Sequence, residues 1–116
     1  MFKKNVFSLI VLLTLSSYSF AESGIASYYG GKFHGRTTAS GEVFNKWAMT
    51  TASNSHKMGT KLRVTNTANG KSVIVRVNDT GNFKKYGRTL DLSRGAFSKI
   101  SDINKGLIEV TIKKVK

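Results

Sequence analysis

Hydrophobic and polar residues alternate along two neighbouring segments near the middle of the chain. In residues 61–66, Leu62 and Val64 share one face, and in residues 71–78 valines occupy positions 73, 75 and 77. Alternation of this kind is typical of a strand with one buried face. Ala68-Asn69-Gly70 joins the two segments, and an Asn-Gly step tolerates the positive φ angles of a tight turn. The pattern therefore predicts a β-hairpin.

Two further strands and one short helix are indicated elsewhere. Residues 24–29 and residues 106–115 have the pattern of strands. Ser93 is a favoured N-cap residue, and it precedes apolar residues at the three- and four-residue spacing of a helix, namely Ala96, Phe97 and Ile100. We expect Phe44 and Phe97 to lie in the core. Several strands and one short helix in so short a chain predict a mostly β protein built as a closed barrel.

The first 21 residues have the features of a secretory signal peptide. Lys3 and Lys4 precede an apolar run over residues 6–15, and Ser19-Phe20-Ala21 provides small residues at a cleavage site. The run is too short for a membrane span, which needs roughly 20 apolar residues. We therefore expect residues 1–21 to be cleaved and residues 22–116 to form one domain. The protein would then work in the periplasm or outside the cell.

Composition and charge narrow the possible partners. The chain has 116 residues, no cysteine and a formal net charge of +13, from 19 basic and 6 acidic residues. Without cysteine there is no disulfide, no cysteine-ligated zinc and no thiol to carry a lipid, so we expect no stable membrane anchor. The positive charge favours an anionic partner. Because the basic residues are scattered and export is expected, we predict that the protein binds cell-wall polymer rather than nucleic acid. We also expect a monomer.

Asp79 is the acidic residue whose position most favours chemistry. It follows the apolar strand 71–78, where partial desolvation would raise its proton affinity and let it act as an acid near neutral pH. The alternative is a turn-forming aspartate that accepts backbone N–H bonds. Asp91 lies between two leucines just before the helix, which favours a structural role bonded to loop amides. Glu42 lies in a polar segment and could reach a groove from a loop.

The remaining polar residues exclude two kinds of site. His34 and His56 lack the neighbouring ligands that a metal site requires, so we expect neither a metal nor another cofactor. The serines lack a recognisable His–Asp pairing, which disfavours a serine hydrolase. Tyr28 and Tyr29 are adjacent, so we expect one ring to face outward, where it can stack on a sugar or a nucleobase.

Several motifs resemble, in the same order along the chain, the rare lipoprotein A family of septal-ring lytic transglycosylases. They are GIASYYG at residues 24–30, FHGRTTASGEVF at 33–44, GTKLRVTN at 59–66, NGKSV at 69–73, VND at 77–79 and LDLS at 90–93. The resemblance implies a six-stranded double-psi β-barrel. This fold also forms the first domain of expansins, and residues 90–114 are similar to bacterial expansins.

The resemblance also implies a set of site residues. The family's groove acids match Glu42 and Asp79 of this chain. The sequence differs from the family at two other positions, with Asn45 where relatives commonly carry aspartate and Ser53 where they often carry histidine. The remaining residues that we expect to bind substrate are Ser27, Tyr28, Tyr29, His34 and Asp91.

The activity that the resemblance implies is cleavage of peptidoglycan glycan strands next to N-acetylmuramic acid. Protonation of the leaving oxygen and attack by the sugar's own 6-hydroxyl give a 1,6-anhydro end without water. Asp79 would act as general acid and then as base, and Glu42 would shape its proton affinity or orient substrate. Two alternatives remain open. One is a non-catalytic, expansin-like module that binds or loosens wall glycan, and the other is hydrolysis by two carboxyl groups about 6.5–9.5 Å apart.

Overall fold

Six strands close into a barrel in the computed structural model, which describes residues 21–81 and 87–116. The strands are β1 (Glu22–Tyr28), β2 (Thr50–Ser53), β3 (Lys61–Asn66), β4 (Ser72–Asp79), β5 (Leu90–Leu92) and β6 (Ile108–Lys114). Helix α1 spans Arg94–Ile100, and two 3-10 turns span Gly31–Phe33 and Ile103–Lys105. The mostly β barrel with one short helix is confirmed for these residues. The predicted signal peptide, apart from Ala21, lies outside them.

The order of strands around the barrel differs from their order along the chain. It runs β1-β5-β2-β4-β3-β6 and closes back on β1. Two pairs are parallel, β1 with β5 and β2 with β4, and the other neighbours are antiparallel. The parallel pairs bring the ends of strands that are distant in sequence to the same part of the barrel, which is where the candidate site lies.

The hairpin and the alternation of the longer strands are as predicted. Strand β3 pairs with β4 in antiparallel register, with Val64 opposite Val73, and Gly70 in the turn adopts a φ of 75°. Alternate side chains of β3, β4 and β6 are buried and pack against α1 in one core, whose members include Leu62, Val75, Val77, Phe97, Val110 and Ile112. Burying one face of each strand supplies the hydrophobic free energy that holds the barrel closed.

Helix α1 is fixed at its first turn by side-chain and backbone bonds. The Ser93 hydroxyl oxygen accepts the Ala96 N–H at 3.1 Å, which confirms the predicted N-cap. The same hydroxyl donates to the Ala48 carbonyl at 2.5 Å, and Gly95 N–H donates to Lys46 O at 2.8 Å. These bonds hold the segment that precedes β2 against the helix. Among the described residues, no helix has the length and apolar character needed to cross a bilayer.

Candidate active-site groove

Two aspartates lie in one row across the barrel wall. Asp91 of β5 and Asp79 of β4 are both register partners of Ala52, which lies on β2 between them. Ser27 of β1 continues the row as the partner of Asp91. Two strand spacings separate the aspartates, which is about 10 Å between their Cα atoms. The register of β2 and β4 shifts between Thr51 and Ala52, an irregularity of the kind that often lies beside active sites.

Both aspartates line a surface groove of about 540 Å³. The floor of this groove is aromatic, formed by Tyr29, Phe33 and Phe44, and the small side chain of Ala52 leaves space between the two carboxyl groups. Two cationic side chains, Arg36 and Arg88, also line it. The groove therefore combines ring faces, carboxyl groups and guanidinium groups, which are the side chains suited to binding and cleaving a glycan.

Three donors face the carboxylate of Asp79. The Tyr29 hydroxyl donates to Oδ2 at 2.5 Å, while Ala39 N–H and Thr80 N–H donate to Oδ1 at 2.8 and 2.9 Å. The two backbone bonds match the turn-forming alternative considered from the sequence. Asp79 nevertheless remains partly exposed at the end of β4 and lines the groove. Its carboxylate is therefore both held in one orientation and accessible to a substrate.

Asp91 is the more deeply placed carboxyl group. Burial is the main cause that raises its pKa above the ordinary value for aspartate, and the negative charge of Asp79 raises it further. A hydrogen bond of 3.0 Å from the Ser27 hydroxyl and the charge of Arg88 act in the opposite direction but do not cancel the effect of burial. The bond to Ser27 replaces the loop-amide bonds expected for Asp91. Asp91 thus combines a raised pKa with a position on the groove.

Glu42 lies outside the residues that line the groove. Its carboxylate accepts bonds from Arg76, at 2.8 and 3.0 Å, and from the Asn78 side chain at 3.0 Å. The bond from Arg76 is the largest cause that lowers the pKa of Glu42. These contacts tie the loop 37–43 to the end of β4, and that loop carries the Ala39 N–H that binds Asp79. Glu42 therefore affects the groove indirectly, by holding the loop whose Ala39 N–H binds Asp79.

Both tyrosine rings are packed rather than outward-facing. The Tyr29 ring stacks on Phe44 with centroids 4.2 Å apart and meets the edge of Phe33 at 5.8 Å. The Tyr28 ring packs on Phe97 at 4.7 Å, and its hydroxyl donates to the Ile103 carbonyl at 3.2 Å. Both side chains still line the groove. The expectation of one exposed ring is wrong because each side chain has a partner in the core or on the groove floor.

Three positions singled out from the family pattern have local roles. His34 is exposed, does not line the groove, and its Nδ1 accepts Lys46 N–H at 3.1 Å. The Asn45 side chain accepts Trp47 N–H at 2.9 Å. Ser53 is buried, and its hydroxyl accepts the N–H groups of the two residues that begin the next turn. Within residues 21–81 and 87–116, no three histidine or acidic side chains are grouped as a metal site requires.

Sequence reasoning did not single out two arginines that line the groove, or Asn54, which binds the lining residue Gly81. The two arginines are Arg36 and Arg88, and Arg88 donates to the Ser27 hydroxyl at 3.0 Å. The Asn54 side chain makes two bonds with the backbone of Gly81, at 2.6 and 3.1 Å, which fixes the segment that follows Asp79. Arg36 could have been found from the sequence, because it lies inside the 33–44 motif that resembles the family. No local pattern pointed to Asn54 or Arg88, because their hydrogen-bond partners lie 27 and 61 positions away in the sequence.

The fold, the groove and the sequence together define the family. Residues 21–112 match the family model described as lytic transglycolase, so the chain belongs to that family. Among its relatives are two proteins named endolytic peptidoglycan transglycosylase RlpA. The one from Neisseria meningitidis is 46% identical over 96 residues, covering 83% of this chain and 40% of the relative. The one from Vibrio cholerae is 47% identical over 93 residues, covering 80% of this chain and 35% of the relative. The chain thus spans less than half the length of either.

Solved structures place the fold among double-psi β-barrels. A mutant of Clavibacter michiganensis expansin in complex with cellohexaose has a TM-score of 0.66 and 29% identity, covering 84% of this chain and 51% of the expansin. The Streptomyces papain inhibitor has the same TM-score at 23% identity, covering 86% of this chain and 98% of the inhibitor, and this likeness shows the fold alone. The six-stranded double-psi barrel and the resemblance to expansins are therefore confirmed.

Proposed function

We propose that this chain is a lytic transglycosylase that cleaves the glycan strands of peptidoglycan next to N-acetylmuramic acid. The observation that carries the proposal is the row in which Asp79 and Asp91 flank Ala52 on the groove, in a chain of the lytic transglycolase family. Residues 1–21 would direct export and residues 22–116 would form the working domain. Its place of action would be the cell envelope, in the periplasm or outside the cell.

The two aspartates are suited to opposite proton transfers. A carboxyl group with a raised pKa can hold a proton until it is needed, and this supports Asp91 as the general acid. Asp91 would protonate the glycosidic oxygen as its bond to C1 of N-acetylmuramic acid breaks. The sugar's 6-hydroxyl oxygen would form the new bond to C1, and its proton would pass to Asp79. The products are a 1,6-anhydro end and a new hydroxyl group, and proton exchange with solvent resets both carboxyl groups.

This scheme modifies the roles expected from the sequence. In the roles expected from the sequence, Asp79 performs both proton transfers, and Glu42 shapes its proton affinity or orients the substrate. The contacts of Glu42 with Arg76 and Asn78 favour an indirect role, in which it fixes the loop whose Ala39 N–H binds Asp79. Ser27 would orient Asp91 through their hydrogen bond, and Tyr28 and Tyr29 would contribute to the binding surface. His34 lies outside the lining of the groove and binds Lys46 N–H, so it would contact only a part of the substrate that extends beyond the groove.

Incubation of the purified protein with sacculi tests the proposal. Anhydro-ended fragments detected by mass spectrometry are expected, whereas reducing ends would indicate hydrolysis. Asp79→Asn and Asp91→Asn should each lower the rate by about 10²–10⁴-fold, the range for loss of a general acid or base. Glu42→Gln should cost less. Glu109→Gln, on the exposed face of β6, removes a carboxylate outside the groove and serves as the control. A folded Asp91→Asn variant with wild-type turnover would leave Asp79 as the acid and contradict the scheme.

The binding alternative makes a different prediction for the same experiment. A mutant of the solved expansin neighbour is in complex with cellohexaose, so a barrel of this fold can bind a glycan. Protein that sediments with sacculi and releases no soluble fragment would support that alternative. Parallel incubations with DNA and with sacculi, at low and at moderate salt, test the predicted preference for wall polymer. Nucleic-acid binding would weaken steeply as the salt concentration rises.

A further inference from the structure

Three cations lie together on the outer wall that β3 and β6 form. Lys61 and Arg63 occupy outward positions of β3, and Lys113 occupies the outward position of β6 directly opposite Arg63. All three side chains are exposed, and we call them the basic wall. Like charges directly opposite each other on neighbouring strands destabilise a sheet. The stability of the barrel therefore does not explain why Arg63 and Lys113 are paired.

No acidic side chain neutralises the basic wall. In the described parts of the chain, the ion pairs are formed by Glu42 with Arg76 and by Glu22 with His56. Glu109 lies near the opposite end of β6, about 13 Å along the strand from the basic wall. The aspartates lie at the groove or after helix α1. The basic wall therefore presents uncompensated positive charge to the solvent.

An exposed apolar side chain, Ile74, lies on the same face as the basic wall. It is the register partner of Arg63 on β4, and 43% of its surface is exposed. The row across β4, β3 and β6 thus consists of Ile74, Arg63 and Lys113. Cations beside an aliphatic side chain suit the interface of a bilayer, where anionic headgroups cover acyl chains. A soluble polyanion would gain nothing from Ile74.

The basic wall and the groove lie on opposite sides of the barrel. Strands β3 and β6 are each three positions away from β5 and β2, respectively, in the closed order of six strands. The row of the groove through Asp91 and Ala52 lies on β5 and β2. The basic wall is the convex outer surface of a barrel, so it can lie against an extended surface. A bilayer bound there would leave the groove open on the far side.

We propose that the basic wall and Ile74 bind the surface of an anionic phospholipid bilayer. Lys61, Arg63 and Lys113 would pair with the phosphate groups of the headgroups, and Ile74 would enter the boundary with the acyl chains. The association would be reversible, because these few contacts are far weaker than the insertion of a membrane-spanning helix. The inference goes beyond the proposed function and does not depend on it, since binding to a bilayer involves no glycan.

Cosedimentation of the purified protein with lipid vesicles tests the inference. The vesicles contain phosphatidylcholine alone or equal parts of phosphatidylcholine and phosphatidylglycerol. We expect binding to the anionic vesicles only, and this binding should weaken as salt screens the charges. Arg63→Gln combined with Lys113→Gln should weaken it about 25-fold, which is about fivefold for each cation removed. Arg94→Gln combined with Lys99→Gln makes the same change of charge at exposed positions of helix α1, and should weaken binding less than about twofold.

The variant Ile74→Ser separates a bilayer from a soluble polyanion. It removes the apolar side chain and leaves every charge in place. Binding to the anionic vesicles should weaken about fivefold, because less apolar surface is buried at the interface. Binding to polyphosphate, a soluble polyanion, should be unchanged. Thermal unfolding of each variant confirms that the comparison is made on folded protein.

The possible outcomes either support or overturn the inference. Equal binding to neutral and anionic vesicles, or equal losses in the two double variants, would overturn it. Unchanged vesicle binding by Ile74→Ser would also overturn it, as would binding to polyphosphate or sacculi but not to vesicles. Cleavage of sacculi is measured with the same preparations. Cleavage without vesicle binding would overturn the inference and leave the proposed activity standing, whereas the expected vesicle binding without cleavage would do the reverse.

Discussion

The hydroxyl of Tyr29 donates a hydrogen bond of 2.5 Å to Oδ2 of Asp79. Burial raises the pKa of Tyr29 well above its ordinary value, and the hydrogen bond and negative charge of Asp79 raise it further. Tyr29 therefore keeps its proton and remains a donor at neutral pH. Because its ring is stacked on Phe44, the direction of the donated bond is fixed by packing. The carboxylate thus has one donor on the groove floor in addition to two from the backbone.

Removal of the Tyr29 hydroxyl should weaken catalysis more than folding. Tyr29→Phe keeps the stacked ring but leaves Asp79 with two of its three donors, so the carboxylate loses part of its fixed orientation. We expect the rate of glycan cleavage to fall about tenfold, while the free energy of unfolding falls by about 1 kcal/mol. Release of anhydro fragments and urea denaturation measure the two effects. An unchanged rate in a folded variant would show that the hydrogen bond does not orient the reacting carboxylate.

The stability of the chain should depend on pH through Asp91. Burial raises its pKa in the folded chain above the unfolded value of about 3.9. The folded state therefore binds this proton more tightly, and the resulting stability is complete below pH 4 and is lost as pH rises through the raised pKa. Asp91→Asn removes this titrating carboxyl group. The wild-type protein should therefore lose stability relative to the variant as pH rises from 4 through the raised pKa of Asp91. Urea denaturation at intervals from pH 4 to 8 measures the difference, and a difference independent of pH would contradict the shift.

Local patterns in the sequence predicted some elements of the barrel but not the relation between the two aspartates. The hairpin and the cap at Ser93 depend on neighbours within a few residues, and both are confirmed. Strand β2 is buried at all four positions and shows no alternation, so nothing local marks it as a strand. The row through Ala52 exists because β2 lies between β5 and β4, which is a property of the closed barrel.

The same limit applies to the charged residues. Glu42 was expected at a groove because the motif around it resembles a family motif. Its partner Arg76 lies 34 positions away and could not be paired with it from spacing alone. Asp91 was expected to bind loop amides, and its bond to Ser27 required the parallel pairing of β1 with β5. The sequence therefore singled out Glu42, Asp79 and Asp91 as candidates, whereas their partners and burial depended on tertiary structure.

The loop 37–43 should become more mobile when Glu42 loses its charge. Glu42→Gln weakens the contact with Arg76, so backbone amides of the loop, such as Ser40 N–H bonded to Asn78 O, should exchange hydrogen faster. Because its folded pKa is lowered, Glu42 contributes stability above its unfolded pKa that is lost as pH falls through the folded value. At acidic pH, the protection of the loop amides from hydrogen exchange in the wild-type protein should therefore fall towards that of the variant. Hydrogen exchange measures this, with Glu109→Gln as the matched control, and equal protection in both variants would contradict the proposed role of Glu42.

Replacing Gly95 with alanine should destabilise the chain, although alanine favours an exposed helix by about 1 kcal/mol. A Cβ atom at this position would lie 2.7 Å from Trp47 O and 3.0 Å from two other backbone atoms of Trp47, and backbone cannot rotate away as a side chain can. The segment before β2 would have to shift, which would break the bond from Gly95 N–H to Lys46 O. We expect a loss of about 2 kcal/mol for this overpacking, or roughly 8–16 °C in the unfolding temperature. Lys99→Ala, in the exposed last turn of the same helix, should change stability by less than about 0.5 kcal/mol. Calorimetric melting of both variants tests the prediction, and a raised unfolding temperature for Gly95→Ala would show that this close approach does not exist.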